Sequence, residues 1–133
     1  MAVYVTDTHP LIWHQTDDPN LSAAARKILD ETDQGRHTVW IPAIVLVEII
    51  YISEKHRIPP EVVSSFLSKL PASTNYLVAP LDMDTIIAMR GIPRPAITDM
   101  PDRIITATAM KLGVPLITLD PRIKESSLVS VVW

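Results

Sequence analysis

Residues 99–120 read DMPDRIITATAMKLGVPLITLD, and this stretch decides the fold. Its first half predicts a helix, because Pro101 suits a first helical turn and Gly113 suits a helix end. Its second half, residues 114–119, predicts a short buried strand, because it is apolar and bounded by a turn and an acid. A helix that leads directly into a buried strand is typical of α/β proteins.

The predicted helix carries an acid on its apolar face. Asp102, Ile105, Ala109 and Leu112 are spaced by three, four and three positions, so they share one face that packs inward. A buried carboxylate without a partner is costly, and this face supplies no basic partner. We therefore expect another group to compensate Asp102, and a metal ion is one such group.

Outside this stretch, short apolar runs alternate with helical segments. Residues 43–53 have a β-like composition, but their length and the preceding proline favour a buried helix. Residues 91–101 form a proline-rich loop before the Asp102 helix, and such a loop often shapes access to a site. The other predicted strands are 3–6, 38–41, 76–79 and an edge strand at 129–133. The other predicted helices are 23–32, which Ser22 caps, 43–53, 61–70 and a helix that Asp82 caps and that runs through Met89.

This alternation predicts a single domain, residues 1–133, with an α/β/α sandwich around a mainly parallel sheet. The absence of cysteine excludes disulfides, thiolate metal sites and cysteine nucleophiles. The apolar, uncharged run at residues 38–47 is about half of the ~20 residues that a membrane span needs. The N-terminus begins in a strand-like run and lacks a signal peptide pattern. We therefore expect a soluble protein with no membrane association.

The charge balance does not identify a partner. The net charge of −3 argues against a simple basic surface for nucleic acid. If four of the 15 acids belong to a metal site, 11 acids remain against 12 Lys and Arg, a balance of +1. The rest of the surface is then nearly neutral.

Four acids interrupt apolar surroundings: Asp7, Glu48, Asp102 and Asp120. Asp7 and Asp120 each follow a predicted strand, and alone each is an ordinary turn or cap residue. Asp102 alone is explained by the helix dipole, whereas Glu48 lies in an apolar run where an unpaired Glu is rare. Because ligands bind at the carboxyl ends of parallel strands, the joint pattern favours one shared site.

The donor set of this predicted site points to a hard cation. Carboxylates without cysteine or a histidine pair suit Mg²⁺ or Mn²⁺. Such a cation offsets carboxylate repulsion, activates water and polarises a phosphodiester. Among the histidines, His9 is notable because it lies two positions from Asp7, and the others are expected on the surface or in turns: His14, His37 and His56.

Four motifs resemble the PIN-domain family, and within it the VapC-type toxins of bacterial toxin–antitoxin pairs. Residues 5–13, VTDTHPLIW, resemble the family's opening signature, and Glu48-Ile49 resembles its central Glu-Ile. Residues 99–109, DMPDRIITATA, resemble the family's acidic helix, and residues 116–120, LITLD, resemble its closing element. The motifs occur in order and cover nearly the whole chain.

This resemblance implies a Rossmann-like fold, a Mg²⁺- or Mn²⁺-dependent ribonuclease, a homodimer and a small cognate antitoxin that occludes the site. The mechanism that we expect is metal-assisted hydrolysis of an RNA phosphodiester, which leaves 5′-phosphate and 3′-hydroxyl ends. The absence of cysteine suits a cytoplasmic protein. Thr118 is implied as a hydroxyl that orients a carboxylate or water. The metal-site roles fall on Asp7, Glu48, Asp102 and Asp120, with Asp99 as an additional acid.

Two positions depart from the family pattern. Members often have a hydroxyl residue three positions before the central Glu, where this chain has Val45. The order Asp-Pro-Phe-Asp becomes Asp-Met-Pro-Asp, which moves the proline to position 101. We expect the site to tolerate both changes, although Asp99 is expected to be the acid most affected.

Three arginines flank the loop before the site: Arg90, Arg94 and Arg103. They are candidates for phosphate contacts, since arginine is a common phosphate ligand in nucleic-acid-binding proteins. Solvated surface charge is an equally good explanation of all three.

Two other functions fit parts of the sequence. A receiver-like phosphoacceptor domain also gathers acids and Mg²⁺ at strand ends, but Asp7 is followed by Thr8 and His9 rather than a second acid. A non-catalytic PIN-like domain that only binds a partner protein is the other alternative. Loss of an acid would favour that module, and all four acids are present.

Overall fold

The computed structural model describes residues 1–133 without a gap. Five strands and seven helices alternate along the chain, and a short 3₁₀ helix, Leu70–Ala72, follows the fourth helix. No helix is both long and apolar enough to cross a membrane. The strands are β1 (Val3–Thr6), β2 (Thr38–Pro42), β3 (Tyr76–Ala79), β4 (Leu116–Ile117) and β5 (Val131–Val132), and the helices are α1 (Thr8–Gln15), α2 (Ala23–Asp33), α3 (Ala43–Glu54), α4 (Pro60–Lys69), α5 (Met83–Met89), α6 (Met100–Leu112) and α7 (Pro121–Ser126).

The five strands form one sheet in the order β3-β2-β1-β4-β5, and every neighbouring pair is parallel. The predicted α/β class with a mainly parallel sheet is confirmed. The central strand β1 pairs through Val5 with Trp40 of β2 on one side and Leu116 of β4 on the other. The strand order reverses between β1 and β4, which is where doubly wound sheets open a crevice for ligands.

This order excludes the receiver-like alternative. Receiver domains have the flavodoxin-like order 2-1-3-4-5, whereas the observed order begins 3-2-1 as in Rossmann-like sheets.

The apolar segment after Pro42 is a helix, as its length predicted. One face of α3 is buried through Val45 and Ile49, while Val47, Ile50 and Tyr51 are exposed. A helix is favoured over a strand here because it begins directly at the end of β2 and packs across α1, α4 and α6. The core around it consists almost entirely of Ile, Val, Leu and Ala side chains.

The helix boundaries follow the predicted caps. Ser22 accepts a hydrogen bond from the Ala25 N–H, and Asp82 accepts one from the Thr85 N–H. Gly113 ends α6 with φ +66°, a left-handed conformation that glycine adopts without a Cβ clash.

Three boundaries differ from the sequence predictions. The strand predicted at residues 114–119 is only Leu116–Ile117, partly because Pro115 has no N–H for the ladder. The turn predicted after Asp7 is the full helix α1, and helix α7 was not predicted at all. The edge strand predicted at residues 129–133 is present but covers Val131–Val132 alone.

Candidate metal centre

One cavity of about 550 Å³ collects all five acids of the predicted site. It lies at the carboxyl edge of the sheet, beside the switch point between β1 and β4. Asp7 and Asp120 are the N-caps of α1 and α7, so each follows its strand into this edge. Asp99 is the N-cap of α6, Asp102 lies in the first turn of that helix, and Glu48 projects from α3.

Both oxygens of the Asp7 carboxylate are held by hydrogen bonds. The Thr118 hydroxyl donates to Oδ2 at 2.6 Å, and the Thr8 N–H donates to Oδ1 at 2.7 Å. The Thr118 hydroxyl also accepts the Asp120 N–H at 3.0 Å, so one side chain joins two acids of the cavity. Burial raises the pKa of Asp7, and these hydrogen bonds oppose that rise.

Glu48 is held by a hydroxyl from another helix. The Thr8 hydroxyl in α1 donates to Oε1 of Glu48 at 2.6 Å, across 40 residues of sequence. Val45, three positions before Glu48, is fully buried in the core. The hydroxyl that contacts Glu48 in this chain therefore comes from Thr8, a role that was not predicted for it. The signal for it was the Asp-Thr pair in the opening motif.

The ionisation of Asp102 is disfavoured. Burial, together with the nearby charges of Asp7, Asp99 and Asp120, raises its pKa to about 8. Asp99, whose side chain makes no capping hydrogen bond, lines the same cavity. Moving the proline to position 101 has therefore not turned Asp99 away from the other acids.

The acids carry negative charge that no protein cation neutralises. None of the five forms an ion pair with Lys, Arg or His. Burial also raises the pKa of Glu48, and the charges of Asp7 and Asp99 contribute. His9 and Arg122 are the basic side chains of the cavity wall, and both are exposed.

This donor set fits a hard divalent cation, because it consists of carboxylate oxygens that repel one another. No three of the five acids place ligand atoms within 4.8 Å of one another. The spacing leaves room for water and substrate oxygens, which Mg²⁺ commonly retains among its ligands.

A second set of metal-ligating side chains lies between α1 and α2. Nε2 of His14 lies 2.8 Å from Asp30 and 3.9 Å from Asp33. Asp33 also accepts a 2.8 Å hydrogen bond from the Tyr76 hydroxyl. These contacts account for the cluster as a polar link between the two helices and β3.

The three arginines proposed for phosphate contact do not line the cavity. Arg103 donates to the carbonyls of Met89, Ile92 and Ile97, so its guanidinium holds the loop before α6 in place. The arrangement gives no support to a phosphate contact by Arg103. Arg90 and Arg94 are exposed outside the cavity, and their role stays a prediction.

The fold and the cavity together define a Rossmann-like α/β/α domain with a carboxylate-lined centre at its switch point. The sequence model described as PIN domain matches residues 4–127, and the chain belongs to the PIN-domain family. Ribonuclease VapC22 of Mycobacterium tuberculosis is 28% identical over 127 residues, which cover 94% of this chain and 92% of that protein.

Solved structures confirm the fold at low sequence identity. VapBC2 from Rickettsia felis, bound to a DNA fragment from its promoter, aligns with a TM-score of 0.74 and 15% identity over 98% of this chain and 97% of that chain. DNA-bound VapBC from Salmonella typhimurium aligns with a TM-score of 0.72 and 19% identity over 99% and 98%.

Proposed function

We propose that this protein is a Mg²⁺- or Mn²⁺-dependent endoribonuclease and the toxin of a VapBC-type toxin–antitoxin pair. The observation that carries the proposal is the single cavity lined by five acids without a protein counter-ion. Membership of the PIN-domain family supports it, as does the relative named a ribonuclease. The non-catalytic alternative offers no reason to keep mutually repelling carboxylates in one cavity.

The residues proposed to hold the cation are Asp7, Glu48, Asp99, Asp102 and Asp120. A bound divalent cation would polarise a phosphoryl oxygen and lower the pKa of water, which is the chemistry that RNA hydrolysis needs. Thr118 and Thr8 keep the Asp7 and Glu48 carboxylates oriented toward the cavity. Burial and the nearby acids raise the pKa of Asp102 to about 8 in the metal-free protein, so a bound cation would offset the cost of its ionised form.

Arg122 is a further candidate for contact with the RNA backbone. It lies in the first turn of α7, lines the acid cavity and forms no ion pair. Its N–H donates to Asp120 at 2.8 Å, so its backbone position is fixed relative to the acids. A guanidinium at this edge offsets part of the repulsion between the acids and an approaching phosphate.

The proposal extends to partners and location. The structural relatives are complexes named VapBC, which supports a small cognate antitoxin as the partner of this chain. RNA in the cytoplasm is the proposed substrate. Homodimer formation is proposed through the exposed apolar side chains of α3 and α5, two helices that both pack on α6: Val47, Ile50, Tyr51, Met83, Ile86 and Ile87.

The dimer is tested by light scattering. Ile87→Asp places a charge on the exposed face of α5 and is expected to shift the mass from two chains to one. Lys27→Glu changes the charge on the exposed face of α2 and should leave the mass unchanged. A monomeric wild-type protein, or a dimeric Ile87→Asp protein, would contradict this interface.

The activity is tested by cleavage of a mixed RNA pool with Mn²⁺, with EDTA and with Asp102→Asn. Asp84→Asn is the matched control, because Asp84 is an exposed acid in the first turn of α5 and lies outside the cavity. We expect cutting only with Mn²⁺, loss of cutting in Asp102→Asn and full activity in Asp84→Asn. Cleavage that survives EDTA or the Asp102→Asn change would contradict the proposal.

A further inference from the structure

A second cavity adjoins the acid cavity across a shared wall. It has a volume of about 470 Å³, within the range of roughly 300–1,000 Å³ typical of small-molecule sites. His9 and Trp13 of α1 line both cavities. We call the second one the base cavity and define it by His9, Trp13, Ile52, Arg57 and Pro59. A chain that passes through the acid cavity can therefore enter the base cavity over these two rings.

The shared wall is aromatic. The rings of His9 and Trp13 lie 5.5 Å apart between centroids, with an angle of 48° between their planes. Trp133, at the C-terminus, packs against Trp13 at 5.9 Å and supports it from outside the two cavities. Flat apolar faces of this kind bind unpaired nucleobases by stacking, without strict sequence preference.

The base cavity is also lined by an arginine, Arg57, that forms no ion pair. Two acids, Asp17 and Asp18, also line this cavity, and both have partners. Asp17 forms an ion pair with Arg26 at 2.8 Å, and Asp18 accepts a hydrogen bond from the Asn20 N–H at 2.8 Å. Arg57 forms no ion pair with either of them. An unpaired guanidinium beside an aromatic wall is the combination that contacts a nucleic-acid backbone while bases stack.

We propose that the base cavity binds the nucleotide next to the scissile phosphate of a single-stranded RNA. The nucleobase stacks on Trp13 and His9, and Arg57 contacts the neighbouring phosphate. This inference rests on the proposed ribonuclease function and adds a base-binding subsite to it. Double-stranded RNA is excluded from this mode, because its bases are paired and stacked with one another.

The test measures cleavage of one single-stranded RNA and of copies with an abasic site at each position flanking the cut. For the wild-type protein, we expect one abasic position to raise KM roughly tenfold or more, the loss expected from one stacked base. Trp13→Leu should raise KM of the intact RNA by a similar factor and be insensitive to that abasic position. Trp13→Phe should stay near wild type, because it keeps an aromatic face.

Two controls separate stacking from general damage. Arg36→Ala changes an exposed arginine outside both cavities, and it should leave KM, its salt dependence and the abasic pattern unchanged. Arg57→Ala changes an exposed residue and should raise KM while weakening its salt dependence, even if Trp13→Leu does not fold.

The possible failures are distinguishable. If the wild-type protein cuts no RNA, the proposed function fails and the base cavity fails with it. If the wild-type protein cuts RNA but every abasic position affects wild type and Trp13→Leu equally, only the base cavity is overturned. Unchanged KM in Arg57→Ala would likewise contradict the phosphate contact.

Discussion

The hydroxyl of Thr118 donates a 2.6 Å hydrogen bond to Oδ2 of Asp7, although 111 positions separate the two residues in the sequence. The contact exists because β1 and β4 are neighbouring parallel strands, so both strands end at the same carboxyl edge of the sheet. It fixes the orientation of the acid at the centre of the switch point. The candidate metal centre is thus assembled by the sheet order rather than by one local motif.

Replacing Thr118 by Val removes this donor while keeping the shape of the side chain. We expect Mn²⁺ affinity and RNA cleavage to fall about 10- to 100-fold, the usual effect of removing a group that orients a metal ligand. Calorimetric titration with Mn²⁺ and steady-state cleavage measure the two effects. Thr118→Ser keeps the hydroxyl and should retain most of both, and equal losses in the Ser and Val proteins would contradict the role of the hydroxyl.

The stability of the metal-free protein should depend on pH through Asp102. Its folded-state pKa is raised to about 8, whereas an unfolded Asp has a pKa of about 3.9. The folded state then binds the proton more tightly, so this contribution is complete below about pH 4 and is lost as the pH rises through about 8. In EDTA, the Tm of wild type should fall from pH 6 to pH 9 relative to that of Asp102→Asn. Parallel Tm curves for the two proteins would contradict this prediction.

Asp102→Asn should stabilise the metal-free protein at pH 9 while it abolishes cleavage. The amide removes a carboxylate whose charge is opposed by burial and by the other acids of the cavity. Thermal unfolding in EDTA measures the gain, and Asp84→Asn controls for the loss of one exposed charge. A lower Tm for Asp102→Asn than for Asp84→Asn at pH 9 would show that the charge of Asp102 does not destabilise the metal-free protein.

Arg103→Ala should destabilise the fold through the loop before α6. The change removes three hydrogen bonds and leaves the Ile92 and Ile97 carbonyls unpaired, whereas the Met89 carbonyl still accepts the Ile92 N–H. An unpaired acceptor costs roughly 1–3 kcal/mol. Denaturant unfolding should show a lower free energy of unfolding, and amide exchange should accelerate in residues 91–99. The control is Arg90→Ala, because Arg90 is an exposed residue near this loop. Equal amide exchange rates in the two variants would contradict the role of Arg103 in holding the loop.

The sequence predicted the elements whose signals are local. The caps at Ser22, Asp82 and Gly113 and the apolar runs of β1 and β2 specify backbone conformation within a few residues. The helix α7 was missed because six residues carry no hydrophobic period, although Asp120 and Pro121 form an ordinary helix start.

The sequence predicted the acids of the site but not the contacts between residues that are distant in the sequence. The acids were recognised because a carboxylate in an apolar run is conspicuous. Two sets of hydrogen bonds, from Thr8 to Glu48 and from Arg103 to backbone carbonyls, depend on how α1, α3 and α6 pack. No short motif encodes that packing. The arginine on the cavity wall, Arg122, was missed for the same reason, because it belongs to the unpredicted α7.

We expect the acid cavity to bind a divalent cation, and direct titration with Mn²⁺ tests this binding. Calorimetry should show saturable binding to wild type and to Asp84→Asn, and at least tenfold weaker binding to Asp102→Asn. Binding should release protons near pH 7, because the pKa of Asp102 is raised to about 8 and a bound cation favours its ionised form. Absence of Mn²⁺ binding to a folded wild-type protein, or equal affinity in Asp102→Asn, would contradict the assignment of the acid cavity as a metal site.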